Sequence, residues 1–319
     1  MEFIFTIGAK KDYKNLQQDN MKKIKFDRSL IGPDSYEYFN DLSKICQSRY
    51  LKILGTQLIL LLLISIVASI PELIAPFERT KHFIELTLII SVLILMIIQF
   101  KSNYMDGWQK SRFLAESILS QSWLLLFKVN NYDKGFNEAI SIFLERIREM
   151  KSEINVSDYL KFVSQESSDN DRPQWITDNF DKSITEKKEF YIVERINDQE
   201  KYYFKKTLFN RRYSERYFWF GVSAMGIGAI LTVLTIMDII PNFSYLGLFT
   251  TLSAALFSWK QTKRFEELSS TYSVAIEELK DFKKKLLLDN SENDIKEIVY
   301  DTEKSISREH KLWVSKIND

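Results

Sequence analysis

Cysteine and histidine are almost missing from this 319-residue chain, which has one Cys (Cys46) and two His (His82 and His310). A single thiol excludes an intrachain disulfide framework and any Cys-based zinc cluster. No Ser-His-Asp or Cys-His set assembles around the histidines, which read as exposed or structural residues. Gly-rich phosphate loops, GxGxxG and His-Glu-x-x-His are also lacking. Lys plus Arg number 44 and Asp plus Glu 43, a net charge of +1 that carries no nucleic-acid footprint and asks for no acidic partner. No catalytic residue, cofactor or metal ligand is expected, and the chain is not expected to be an enzyme. Alternating strand patterns are weak throughout.

What the chain has instead is long apolar runs. They come in two close pairs: Ile53–Pro71 with Phe83–Phe100, then Tyr217–Met237 with Ile239–Trp259, the last turning around Pro241-Asn242. A helix rises ~1.5 Å per residue against a hydrocarbon core of ~30 Å, so each run is long enough, or nearly so, to span a bilayer. Charge appears only at the ends, as Glu72, Glu85 and Asp238, close to the outer rim where it costs little. The expected fold is an all-α membrane protein with two transmembrane helical hairpins (about 53–73 and 83–100, then 217–239 and 243–259) and long cytoplasmic helices. The overall mean hydropathy is that of a soluble protein because charged residues crowd everything between the runs.

Basic residues set the orientation. The hairpin loops hold only Arg79 and Lys81, whereas Lys44, Arg49, Lys52, Lys101, Arg112, Lys205, Arg211, Arg216, Lys263 and Arg264 flank the opposite ends. The positive-inside rule then puts both termini in the cytoplasm of a multi-pass inner-membrane protein. Aromatic residues such as Trp108, Trp219 and Trp259 fit interfacial anchors on that side. The N-terminal apolar stretch is too short for a signal h-region, and no cleavage is expected.

The halves share an order of short matches, as parallel internal repeats would. Ser48-Arg49-Tyr50 precedes the first run and Glu215-Arg216-Tyr217 the third. Trp108…Arg112-Phe113 follows the second run, and Trp259…Arg264-Phe265 the fourth. Helical stripes continue each half. The second run is expected to continue unbroken as a stalk to about Phe127, and the fourth past Trp259 to about Leu286. Further helices cover Gly135–Ile154 (Phe136, Ala139, Ile140, Phe143, Ile147, Met150) and about Asn293–Ile317 (Ile295, Val299, Thr302, Ile306, Trp313, Ile317). The polar stretch around Pro173 reads as a linker. The organisation is a first module at 1–165, a linker at 166–188 and a second module at 189–319.

The third and fourth runs carry stripes of small or hydroxylated residues: Gly221, Ala224, Gly228, Thr232 and Thr235, then Gly247, Thr251 and Ser258. Small residues let helix backbones approach, and hydroxyls hydrogen-bond across helices or face water. The stripes therefore read either as hairpin packing or as a water-lined path in an oligomer. Leu- and Ile-rich first and second runs suit lipid contact.

Two further stretches resemble a known family. Trp108 with Arg112, Ala115, Glu116 and Trp123 is similar to the Trp/Arg-x-x-Ala-Glu stretch that follows the hairpin in one subfamily of SLATT proteins. Arg195, Ile196, Gln199, Tyr202 and Tyr203 are similar to the Arg-Ile-x-x-Gln-x-x-Tyr-Tyr stretch that precedes the hairpin in another. The resemblance spans about residues 30 to 290. The second half has Glu266-Glu267 where the first has Leu114-Ala115, so the halves belong to different subfamilies. The resemblance implies a pore-forming, homo-oligomeric membrane effector of bacterial antiphage systems, triggered by a separate cytoplasmic sensor or nucleotide-signalling protein. The alternative is a membrane-anchored helical scaffold or receptor without a conducting path.

Overall fold

A computed structural model describes residues 33–71, 75–154, 173–241, 243–288 and 291–315; the statements below concern these residues. They are helical, with no strand among them. In chain order the helices are α1 (Asp34–Ser69), α2 (Ala75–Ser102), α3 (Tyr104–Leu126), α4 (Phe136–Ile154), α5 (Gln174–Asn179), α6 (Ile184–Tyr191), α7 (Asn197–Ile236), α8 (Tyr245–Thr262), α9 (Phe265–Leu287) and α10 (Glu292–Ser315). A π turn, Ile192–Ile196, joins α6 to α7.

α1 has 36 residues and α7 has 40, so they are about 54 and 60 Å long at ~1.5 Å per residue, far more than a bilayer core needs. Each therefore has an apolar half and a polar half on one continuous axis. The apolar halves pack in the order α2–α1–α8–α7. Ser65 Oγ donates to the Gly247 carbonyl at 3.2 Å and Ser69 Oγ to that of Ser244 at 3.2 Å. At the other end of the same contact, a Cβ on Gly55 would lie 3.6 Å from the Trp259 ring. α1 and α8 thus run antiparallel, with the ends of both hairpin loops at one end of the bundle.

Three helical stretches, Asp34–Ser69, Glu78–Leu126 and Ile184–Ile236, are long and apolar enough to cross a membrane. α8, only 18 residues long and ending in Lys260-Gln261-Thr262, is not among them. It is packed between α1 and α7, and Ser253 finds a carbonyl of α7 there. α2, on the outside, exposes Phe83, Leu86, Leu93, Ile97 and Phe100, the last at 83%.

Neither descending run continues unbroken into its stalk, contrary to the sequence expectation. Asn103 separates α2 from α3 at φ 46°, and Arg264 separates α8 from α9 at φ 50°. One left-handed residue breaks the helix without glycine or proline, and asparagine is among the side chains that tolerate it best. Relative to the shared Trp-to-Arg pattern the breaks differ in place: Asn103 precedes Trp108, while Arg264 closes its own pattern.

The other half of the molecule is an aqueous-type core of α3, α4, α6, α9 and α10 with the lower part of α1. Leu42, Leu114, Ile118, Leu125, Phe143, Ile147, Ile196 and Val299 are buried there. α4 and α10 bury the stripes read from their sequences. Residues expected to be linker contribute as well: α5 lies within 166–188 and α6 begins there, and Trp175, Ile176 and Phe180 are buried. Residues 155–172, Trp313's side chain and Ile317 lie outside what is described.

A buried charge network at the junction of the two halves

α10 lies along α3 and α9, and the π turn packs beside them, so this is where the N- and C-terminal halves meet. A π turn takes up one residue more than an α turn, and such bulges are frequent at functional sites. Here Tyr191, Ile192, Arg195 and Ile196 are all buried around it. Arg195 grips Glu303 of α10 with both arms: Nε donates to Oε1 at 3.0 Å and Nη2 to Oε2 at 2.8 Å. The Tyr191 hydroxyl donates to Oε1 at 2.8 Å, and Ser120 Oγ, from α3, donates to Oε2 at 2.7 Å. Ser307 Oγ donates in turn to Ser120 Oγ at 3.1 Å. The side chains of Arg195 and Glu303 are 3% and 1% exposed, so this is an ion pair with its carboxylate lone pairs occupied rather than a surface contact.

One turn further along α3 the pattern repeats. Arg112 Nη2 meets Glu116 Oε1 at 2.6 Å, and Nη1 donates to Asn40 Oδ1 of α1 at 3.1 Å. Glu116 is buried, and its charge acts on Arg195 as well as Arg112. The result is a row of alternating charge, Arg112, Glu116, Arg195, Glu303, two from each half of the chain. Burial alone would weaken the proton affinity of Arg195, but Glu303 outweighs it and raises the pKa further. Arg112 is raised in the same way, burial opposing and Glu116 prevailing. Burial first and Glu303 second push the Tyr191 hydroxyl well above its usual range. Tyr36 is pushed up to about 12 by burial and by Glu116. Both arginines are held charged and both phenols neutral at physiological pH.

The structure thus brings together most of the residues that carried the family resemblance. Arg112, Glu116 and Arg195 form the row. Tyr203 stacks on Tyr272 of α9 at 5.3 Å, with Tyr202 edge-on to the same ring at 6.2 Å; both Tyr202 and Tyr272 lie in the field of Arg112. Trp108 packs at the core's edge, and Gln199 is half-buried. Sequence reasoning missed Glu303, Tyr191 and Ser120. Glu303 had a visible signal, since it adjoins Thr302 on the stripe of Val299 and Ile306, where a carboxylate requires a partner.

The small-residue stripes lie elsewhere, in the α7–α8 hairpin. Gly221, Ala224 and Gly228 are buried. A Cβ on Gly228 would come within 2.6 Å of Phe249 Cβ, and one on Gly221 within 2.8 Å of the Phe257 ring. Thr232 and Thr235 donate to Gly228 and Leu231 carbonyls, and Thr251 to that of Gly247, all four residues back on their own helix. Ser258 is half-buried. The bond across the hairpin comes from Ser253, whose Oγ donates to the Gly221 carbonyl at 3.0 Å.

Long apolar helices that expose their greasy sides define a membrane protein. Residues 33–185 match the SMODS and SLOG-associating 2TM effector domain 3, and residues 191–313 match the SMODS and SLOG-associating 2TM effector domain 1. The chain belongs to the SLATT family and carries two SLATT domains in tandem. No curated protein and no solved structure matches it. The charge row therefore joins one SLATT domain to the next.

Proposed function

We propose that this chain is the membrane effector of a bacterial conflict system, crossing the inner membrane four times and conducting ions as a homo-oligomer once triggered by a separate cytoplasmic sensor. The observation that carries the reading is the pairing of two membrane effector domains whose cytoplasmic arms share one buried charge row, so that a change at the arms is felt by both hairpins. On this reading α8 is the fourth span, both hairpins point the same way as parallel repeats, and the termini stay in the cytoplasm. No catalytic group is invoked and the chain is not an enzyme. Two hairpins enclose too little space for a conduit, so several chains would have to contribute.

Membrane potential, followed with a voltage-sensitive dye after induced expression together with its trigger, tests this directly. Rapid depolarisation is the expected result. An unchanged potential, with the protein present in the membrane, would establish the second reading, a helical scaffold or receptor. One observation favours that second reading: Gly221 and Gly228 are spent on contact with Phe257 and Phe249, so their face is closed within a single chain. Thr232→Val and Gly228→Leu separate the two: folded variants that no longer depolarise favour a conduit along this face.

A further inference from the structure

Each hairpin pairs one continuous helix with one jointed helix. α1 and α7 run unbroken from the apolar half into the polar half, whereas α2 and α8 each stop at a left-handed residue, Asn103 or Arg264, before α3 and α9 begin. In the second hairpin both pieces of the jointed helix lie along α7. Different faces of the two pieces touch it. From α8, Phe249 and Phe257 lie against Gly228 and Gly221, and Ser253 Oγ donates to the Gly221 carbonyl at 3.0 Å. From α9, Phe265 stacks on Tyr217 at 5.7 Å, Ser269 Oγ donates to the Thr207 carbonyl at 3.3 Å, and Tyr272 stacks on Tyr203 at 5.3 Å.

With ~100° of turn per residue, these two faces cannot belong to one straight helix. Counted from Phe249, the α8 contacts centre at about 40° and the α9 contacts at about 165°, a mismatch of about 120°. Arg264 absorbs that mismatch, at φ 50° and ψ 35°. The left-handed region is unfavourable for such a side chain, and the guanidinium is held by Glu267 of α9, Nε donating to Oε2 at 2.7 Å. Were Arg264 helical and α9 in its present place, the side of α8 turned to α7 would be that of the following residues, Thr250, Ala254 and Ser258, flanked by Gly247 and Thr251. In the structure Ala254 is exposed and the other four are half-buried, so this face is only partly covered. Gly221, Ala224 and Gly228 would meet it with side chains equally small, which is how membrane helices approach closely.

Resting on the reading that α7 and α8 cross the membrane as a hairpin, we propose that Arg264 is a rotary switch. When it passes from the left-handed to the right-handed helical region, α8 turns by about 120° against α7 and exchanges its Phe249–Ser253–Phe257 face for its Thr250–Ala254–Ser258 face. The state in the structure keeps α8 and α9 out of phase and sets phenyl rings on the α7 glycines. The second state joins them in phase and lays small residues on small residues. Packed helices shift between discrete arrangements of this kind rather than deforming continuously. α9 packs along α10, which carries Glu303, so loosening of the charge row is the event that frees α9 to act on the joint.

The test traps the two faces as disulfides in the full chain, in membranes and in a Cys46→Ser background. Gly228→Cys/Phe249→Cys reports the face seen in the structure, because a Cβ on Gly228 would lie 2.6 Å from Phe249 Cβ, and a small parting of the helices reaches the ~3.8 Å of a disulfide. Gly228→Cys/Thr250→Cys reports the other face. With Arg264 in place the first pair should oxidise faster. Arg264→Ala and Arg264→Gly both remove the guanidinium, but alanine favours the helical region and glycine tolerates the left-handed one. Within the second pair, Arg264→Ala should therefore give at least ~10-fold more disulfide than Arg264→Gly. Equal yields, or a chain with native Arg264 that oxidises the second pair as readily as the first, would overturn the proposal. Should Arg264→Ala not fold, Arg264→Gln against Arg264→Asn repeats the comparison, since asparagine tolerates the left-handed region better; equal yields there refute it as well. Failure of the membrane reading shows up separately, as a chain that alkaline carbonate strips from membranes, and the disulfide yields do not depend on whether the protein conducts.

Discussion

Glu303 ties three helical segments together, because Arg195, Tyr191 and Ser120 all converge on it. Arg195→Ala strands a buried carboxylate, and the expected loss is about 3–5 kcal/mol, read as chemical or thermal unfolding in detergent. Arg195→Met with Glu303→Gln removes both charges and should recover much of that loss, since a neutral pair of similar volume avoids the uncompensated ion. If the double variant is no better than Arg195→Ala, the row is not what joins the halves. A second buried charge has a pH signature. Lys187 is 5% exposed and its Nζ donates to the Phe180 carbonyl at 2.5 Å; burial, then Lys128 nearby, pull its pKa from 10.5 down to about 8. Between those values the unfolded chain keeps the proton that the folded chain has released, so this residue's contribution to stability rises with pH across that window. The midpoint advantage of Lys187→Met over the native protein should therefore be largest near pH 7 and shrink as pH climbs through 8 to 10.5. A difference that stays constant would show that Lys187 does not titrate there.

At the scale of elements, the α7–α8 hairpin separates three glycines by what a methyl group would meet. At Gly228 it meets Phe249 Cβ at 2.6 Å, an atom fixed to the backbone, so the helices must part; Gly228→Ala should cost about 1–3 kcal/mol. Gly221 faces the Phe257 ring edge at 2.8 Å, which can rotate away, so Gly221→Ala should cost less. Gly226 has nothing within 4 Å, and Gly226→Ala should stabilise by up to about 1 kcal/mol through helix propensity alone. Thermal midpoints of the three variants check the order. Stripe periodicity showed in the sequence that these residues share a face. It did not show that Phe249 and Phe257 sit opposite, because that depends on the register of the hairpin. The breaks at Asn103 and Arg264 were equally hidden, since a single left-handed residue leaves the apolar period on either side intact.

For the whole molecule, the orientation is open to a direct measurement. Thr80 and Ser270 are both exposed, and Cys46 is fully buried, so the native thiol adds little background. Thr80→Cys should react with an impermeant maleimide in intact spheroplasts, and Ser270→Cys only after permeabilisation. The reverse pattern would invert the topology, and reaction of both from outside would break the first hairpin. Separation of effector from sensor predicts in addition that the purified chain binds no cyclic nucleotide tightly; calorimetry giving a micromolar or stronger dissociation constant would make the cytoplasmic helices themselves the sensor.

Helical content, three of the long apolar helices and the family were legible in the sequence, because run length, 3.6-residue periodicity and short motifs are local properties of a chain. The stripes of α4 and α10 were legible for the same reason. Tertiary structure alone decided what those pieces do to each other. It placed Arg195 and Glu303, both far along the chain from Arg112 and Glu116, in one row with them. It drew Trp175 and Phe180 of the expected linker into the core. It also set α8 between α1 and α7, where Ser65, Ser69 and Ser253 meet backbone carbonyls. Each of these depends on which surfaces are removed from water or lipid together, and burial between distant segments leaves no mark on the period of either one.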